Sequence, residues 1–188
     1  MVWLVVGLIL WIAVHLSPSL LPSIRAGLVG SIGETPYKGV FAIAVIGALA
    51  VIVYGWQLAV PIDVYEPPTW ALSVASILVL LASVLFVSGR LPTNIKRLHR
   101  HPQLIGVAFW SIAHLLANGD NRSLLLFGGM GAWAVVEIAS INQRQGEWQK
   151  PDKVPLTSDI VTVVVGVALF AVLLFAHPYF TGIPLMPG

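Results

Sequence analysis

The chain has 188 residues, a formal net charge of +2, 57% apolar residues and only 10% charged ones. That leaves too little polar surface to cover a soluble globule, so lipid is the expected solvent. Zero cysteines exclude disulfides, thiolate chemistry, iron–sulfur clusters, zinc–thiolate sites and covalently attached haem, and leave histidines, carboxylates and amides as ligands.

Residues 1–24, 39–62, 67–89, 101–119 and 160–188 contain no Asp, Glu, Lys or Arg, and about 20 such residues cross a bilayer. The first helix is expected over 2–21. No basic segment precedes it and no small-residue cleavage site follows, so it reads as a retained helix and not a secretory signal. Further helices are expected at 37–60, 69–88, 102–118, 122–141 and 158–179. Gly33 and Pro36, then Pro61, Pro67 and Pro68, then Gly89 and Pro92, then Gly119, then Gly146, Pro151 and Pro155 punctuate the intervening loops. The expected fold is all-α: one polytopic domain over 1–188 with six transmembrane helices.

The basic residues fix an orientation. Arg25 and Lys38, then Arg90, Lys96, Arg97 and Arg100, then Arg144, Lys150 and Lys153 fall in the odd loops, against Arg122 alone elsewhere. Basic residues are retained on the cytoplasmic side, so both termini are expected outside. The same scatter forms no continuous stripe for a phosphate backbone, so the pI of about 9.2 does not point to nucleic acid. No internal repeat argues for an inverted-repeat transporter.

Three ionisable residues stand inside the expected spans: His15, His114 and Glu137. Each costs about 2 to 3 kcal/mol to insert, so each needs a partner or a role. On the fourth helix Gln103, Val107, Ser111 and Asn118 share a face with His114, which must point into the bundle. Beside His15, Pro18 lacks the N–H that would satisfy the Val14 carbonyl. Counted from Arg25 and Arg100, the two histidines lie about 15 and 21 Å deep. Two neutral imidazoles at similar depth on different helices are what a b-type haem needs, with Arg97 and Arg100 as propionate partners. The plainer reading makes each a helix-bridging hydrogen-bonder. With only the distant Glu137 to help, the pair makes a thin ligand set for zinc or non-haem iron. Glu137 is expected to pair with a basic residue, with Lys96, Arg97 and Arg100 at hand, the alternative being a proton-handling role.

The run Arg100 to Asp120, RHPQLIGVAFWSIAHLLANGD, resembles the signature of NnrU-type membrane proteins. VHLSP at 14–18, GETPYKG at 33–39 and EIASI at 137–141 follow the order of that family. The resemblance implies a multi-pass protein of the bacterial inner membrane linked to nitrite and nitric oxide respiration. The run also resembles the related zeta-carotene isomerases, in which a histidine on an early helix and one in a Trp-x-x-Ala-His element bind haem b. The matching positions are His15 and His114, and the Ala-His-Pro element at 176–178 is shared. The isomerases carry a cysteine three residues before the second histidine, where this chain has Ser111, a poor haem ligand. The Arg-His-Pro start of the fourth helix is similar to isoprenylcysteine methyltransferases, whose later cofactor segment has no counterpart here.

Three functions follow. The leading expectation is a membrane haem b protein with His15 and His114 as axial ligands and Ser111, Asn118, Arg97 and Arg100 around the cofactor, serving a redox partner or nitric oxide. The second, implied by the resemblance alone, is a haem-dependent cis–trans isomerase of a polyene or other hydrophobic small molecule. The third is a non-catalytic assembly protein in the bilayer.

Overall fold

The structure, a computed structural model, describes residues 1–182, the side chain of Phe180 excepted. The last six residues of the charge-free stretch 160–188 lie outside the described residues. The helices are α1 (Val2–Leu20), α2 (Pro22–Ile32), α3 (Glu34–Leu58), α4 (Ala71–Ser88), α5 (Pro102–Ala117), α6 (Asn121–Gln145) and α7 (Leu156–Thr181), with a 3-10 turn at Asn94–Arg97. Among the described residues no strand accompanies them, only one isolated antiparallel bridge between Asp63 and Asp120.

The first connection corrects the sequence reading, because α2 fills what was expected to be a loop. Pro22 occupies its first turn, where the missing N–H costs nothing, and the helix continues through Gly27 and Gly30 to end at Gly33, at φ 87°. Pro36 likewise stands in the first turn of α3 instead of ahead of it. At 11 residues, α2 is about 16 Å long and cannot cross a bilayer.

Five helices, α1, α3, α4, α6 and α7, are long and apolar enough to cross a membrane. The expected fourth span is α5, whose 16 residues reach about 24 Å against a hydrocarbon core of about 30 Å. In space the helices form a row, α3–α1–α6–α5–α4–α7, with α2 folded against α1 and α3. This order is not the chain order, since α1 packs on α6.

Glycines set the close approaches. A Cβ added to Gly7 would lie 2.6 Å from the Ile52 nitrogen, and one on Gly55 would run into the Leu4 backbone, so α1 and α3 touch almost backbone to backbone. Gly129 and Gly131 of α6 face Leu8 and Ser111, whereas Gly128 faces open space. Around these contacts Leu4, Leu8, Ile52, Met130, Trp133 and Ala134 form the buried core of α1, α3 and α6.

Polar bonds close the two ends of the row. At one end the Gly119 carbonyl accepts from the Val64 and Tyr65 amides at 2.8 and 3.1 Å, while Asp120 caps α6 through the Arg122 and Ser123 amides. At the other, basic end the Asp159 carboxylate accepts from Thr93 Oγ1, Asn94 N and Asn94 Nδ2 at 2.6 to 2.7 Å.

Gly55→Ala is expected to destabilise the protein by about 2 kcal/mol through overpacking. Gly47→Ala, on the open face of the same helix, should be neutral or gain up to about 1 kcal/mol from helix propensity. Thermal unfolding of both variants in detergent checks the pair.

Candidate functional site

Both intramembrane histidines bind back to their own helix. His15 Nδ1 lies 2.9 Å from the Trp11 carbonyl, and His114 Nδ1 lies 2.9 Å from the Trp110 carbonyl. A carbonyl only accepts, so Nδ1 carries the hydrogen and the neutral ring keeps its lone pair on Nε2. Among the described residues neither Nε2 has a hydrogen-bond partner. Beside His15, the Val14 carbonyl freed by Pro18 accepts from Ser17 Oγ at 2.7 Å, so the backbone there is repaired locally.

Aromatic rings wall each imidazole. Around His15 stand Trp11 at 4.2 Å, Trp133 at 4.8 Å and Phe41 at 5.9 Å between ring centroids. His114 stacks on Phe127 at 4.4 Å and 25°, with Trp110 at 5.0 Å. Beyond Phe127 come Trp56 at 6.1 Å and, over the Trp56 ring, the Arg122 guanidinium at 4.3 Å.

These are two separate clusters, one on either flank of α6. Their α6 members, Phe127 and Trp133, are six residues apart, about 9 Å along the axis. Among the described residues no ring contact joins His15 to His114. The similar depth expected from residue counts is therefore not realised, because Arg25, used as the ruler for His15, belongs to α2 and not to the end of α1. His15 stands five residues before the last residue of α1, whereas His114 stands twelve after the first of α5.

The other expected site residues fall into two groups, Ser111 and Asn118 near His114 and the two arginines at the basic end. Ser111, one turn before His114, is 1% exposed, and its hydroxyl has no partner beside Gly131. Asn118 caps α5, its amide nitrogen and backbone N–H both donating to the His114 carbonyl at 2.9 Å. The Tyr65 hydroxyl donates to the Asn118 carbonyl at 2.9 Å. Burial, and next the Asp120 carboxylate, push that hydroxyl up and keep it a donor. Arg97 donates to the Pro151 carbonyl at 2.6 Å, and Arg100 to the Gly146 carbonyl at 2.7 Å and Gln145 Oε1 at 3.2 Å. Both arginines tie the basic-end loops together and stand about 20 Å along α5 from His114. His177 of α7, in the Ala-His-Pro element, lies within electrostatic reach of His114.

In donor chemistry the imidazoles suit the iron of a b-type haem: neutral rings, fixed tautomers and free Nε2 atoms, as second-shell orientation of a ligating histidine requires. For one iron held between them the placement is less suited. Metal–imidazole bonds of about 2.1 Å put two axial nitrogens about 4 Å apart, and here the rings stack on residues about 9 Å apart in height. Two clefts of the described surface open at the basic end, one by Pro92 and Val161 and one by Arg100 and Trp148; neither of these two is lined by His15 or His114. Among the described residues no three His, Cys, Asp or Glu side chains gather around a metal position.

A family model described as NnrU protein matches residues 3–185. No curated protein and no solved structure matches the chain.

The unpartnered Ser111 hydroxyl is a stability liability in its packed setting. Ser111→Ala is expected to raise stability by about 1 kcal/mol, read as a higher midpoint of thermal unfolding in detergent.

Proposed function

Because the chain belongs to the NnrU family, we propose that it is an integral membrane haem b protein linked to nitrite and nitric oxide respiration. His114 is the iron ligand. His15 is the second axial candidate, which reaches the same iron only if α1 shifts along α6. The observation that carries this reading is the identical anchoring of the two imidazoles, each with Nδ1–H on the carbonyl four residues back and Nε2 unengaged.

His114 stands ahead of His15 for a local reason. The buried, unpartnered Ser111 hydroxyl lies one turn away on the same flank of α5, and an orphaned polar group beside a free lone pair marks a place where a ligand completes the set. Phe127 and Trp110 fix the ring plane. A haem iron with one imidazole supplies an open coordination position for a diatomic ligand.

All six long helices are assigned to the bilayer in this reading, with α5 shielded between α4 and α6, and both termini lie outside. The orientation follows from the concentration of Arg and Lys at one end. A haem-dependent isomerase on the same scaffold rests on the resemblance alone and would need a hydrophobic substrate to reach Nε2-bound iron.

Purified protein is expected to show a reduced-minus-oxidised haem spectrum that is lost in His114→Ala and kept in His15→Ala. Loss in both variants, with a low-spin spectrum in the parent, would replace single ligation by the His15–His114 pair. Folded protein without haem after expression in haem-sufficient cells would leave the non-catalytic assembly reading.

A further inference from the structure

Glu137 is the one acidic residue in the interior of α6. It is 7% exposed, and its Oε2 atom is buried with no hydrogen-bond partner. The Trp133 indole N–H lies close to this carboxyl but misses hydrogen-bond geometry, and the buried Trp11 N–H is also unpartnered. Trp133 and Trp11 meet edge to face at 5.5 Å, so a carboxyl and two idle indole donors occupy one region of the α1–α6 interface.

Among the described residues no cation forms an ion pair with Glu137. Arg97 and Arg100 are spent on loop carbonyls, and Arg144, seven residues along α6, donates to Ser19 Oγ at 2.9 Å. Glu137 joins neither of the described ion pairs, Lys38–Glu34 and Arg122–Asp120. From α1 the titratable group facing this region is His15, edge to face with Trp133. From α5 it is His114, on Phe127 ten residues before Glu137, with His101 held by Asn142 toward the basic end.

An ionised carboxylate in that setting would forfeit several kcal/mol of solvation with no ion pair to offset it, only the more distant charge of Arg144. A neutral acid forfeits far less. We propose that Glu137 is an intramembrane proton-binding site: its carboxyl carries a proton at neutral pH and exchanges it with water from the basic end of the bundle, where Arg144 lies. Only a proton moves, between the carboxyl oxygen and water. The site does not depend on haem.

The test uses the full chain in detergent and in liposomes, treated with a hydrophobic carbodiimide, which reacts with protonated carboxyls, followed by peptide mass mapping. Glu137 is expected to be modified about tenfold more than Glu34 at pH 7, a ratio equivalent to one pKa unit, and less as the pH rises. The infrared band of a protonated carboxylic acid should vanish in Glu137→Gln. If that variant fails to fold, labelling of the unaltered chain still decides. An unmodified Glu137 beside a modified Glu34 would overturn the proposal. Labelling that ignores pH would overturn the exchange.

Discussion

Hydrocarbon supplies no hydrogen bonds, so every polar group carried into a span has to be satisfied by the protein itself. In this chain the interior side chains solve that problem inside their own helices. His15, His114, Ser83 and Thr162 each bond a carbonyl four residues back, and Ser17 and Ser88 one three residues back. Bonds between distant segments are confined to the two ends of the row, where loops meet water. Polar glue between helices, the plain reading of the histidines, is therefore not how the described interior is held.

Packing has to do that work instead. With lipid as apolar as leucine, helices associate through close approach and shape, and here glycine supplies the approach while aromatic rings fill the remaining space. The same rings that bind α6 to its neighbours also cradle the imidazoles. Structural and candidate functional roles consequently share residues: Phe127 and Trp133 hold α5 and α1 in place and orient His114 and His15.

The exceptions are informative because the rule is so widely obeyed. Ser111, Trp11, Trp133 and Glu137 keep buried polar atoms without partners. They divide between two regions, one beside His114 on the α5 flank and one below it on the α1 flank. A ligand-binding imidazole at one level and a proton-binding carboxyl at another would place charge-accepting groups about 15 Å apart along α6, counted as the ten residues from Phe127 to Glu137.

What the sequence determined by itself was the material of the fold. Charge-free runs, Pro and Gly located the spanning helices to within a few residues, and local spacing fixed which residues share a face, because both depend only on the helical repeat and on the cost of charge in lipid. The run from Arg100 to Asp120 carried the family. Other features were decided only when the chain packed. Pro22, Gly27, Gly30 and Gly33 made the segment before α3 read as a loop, yet it folds as α2, and its folding removed the depth ruler that matched His15 to His114. Arg97 and Arg100, expected to pair with Glu137, bond loop carbonyls at the basic end instead. Helix identity is a property of neighbours along the chain, whereas height, flank and partner depend on how helices slide and turn against one another, and close packing at Gly7, Gly55 and Gly131 sets those.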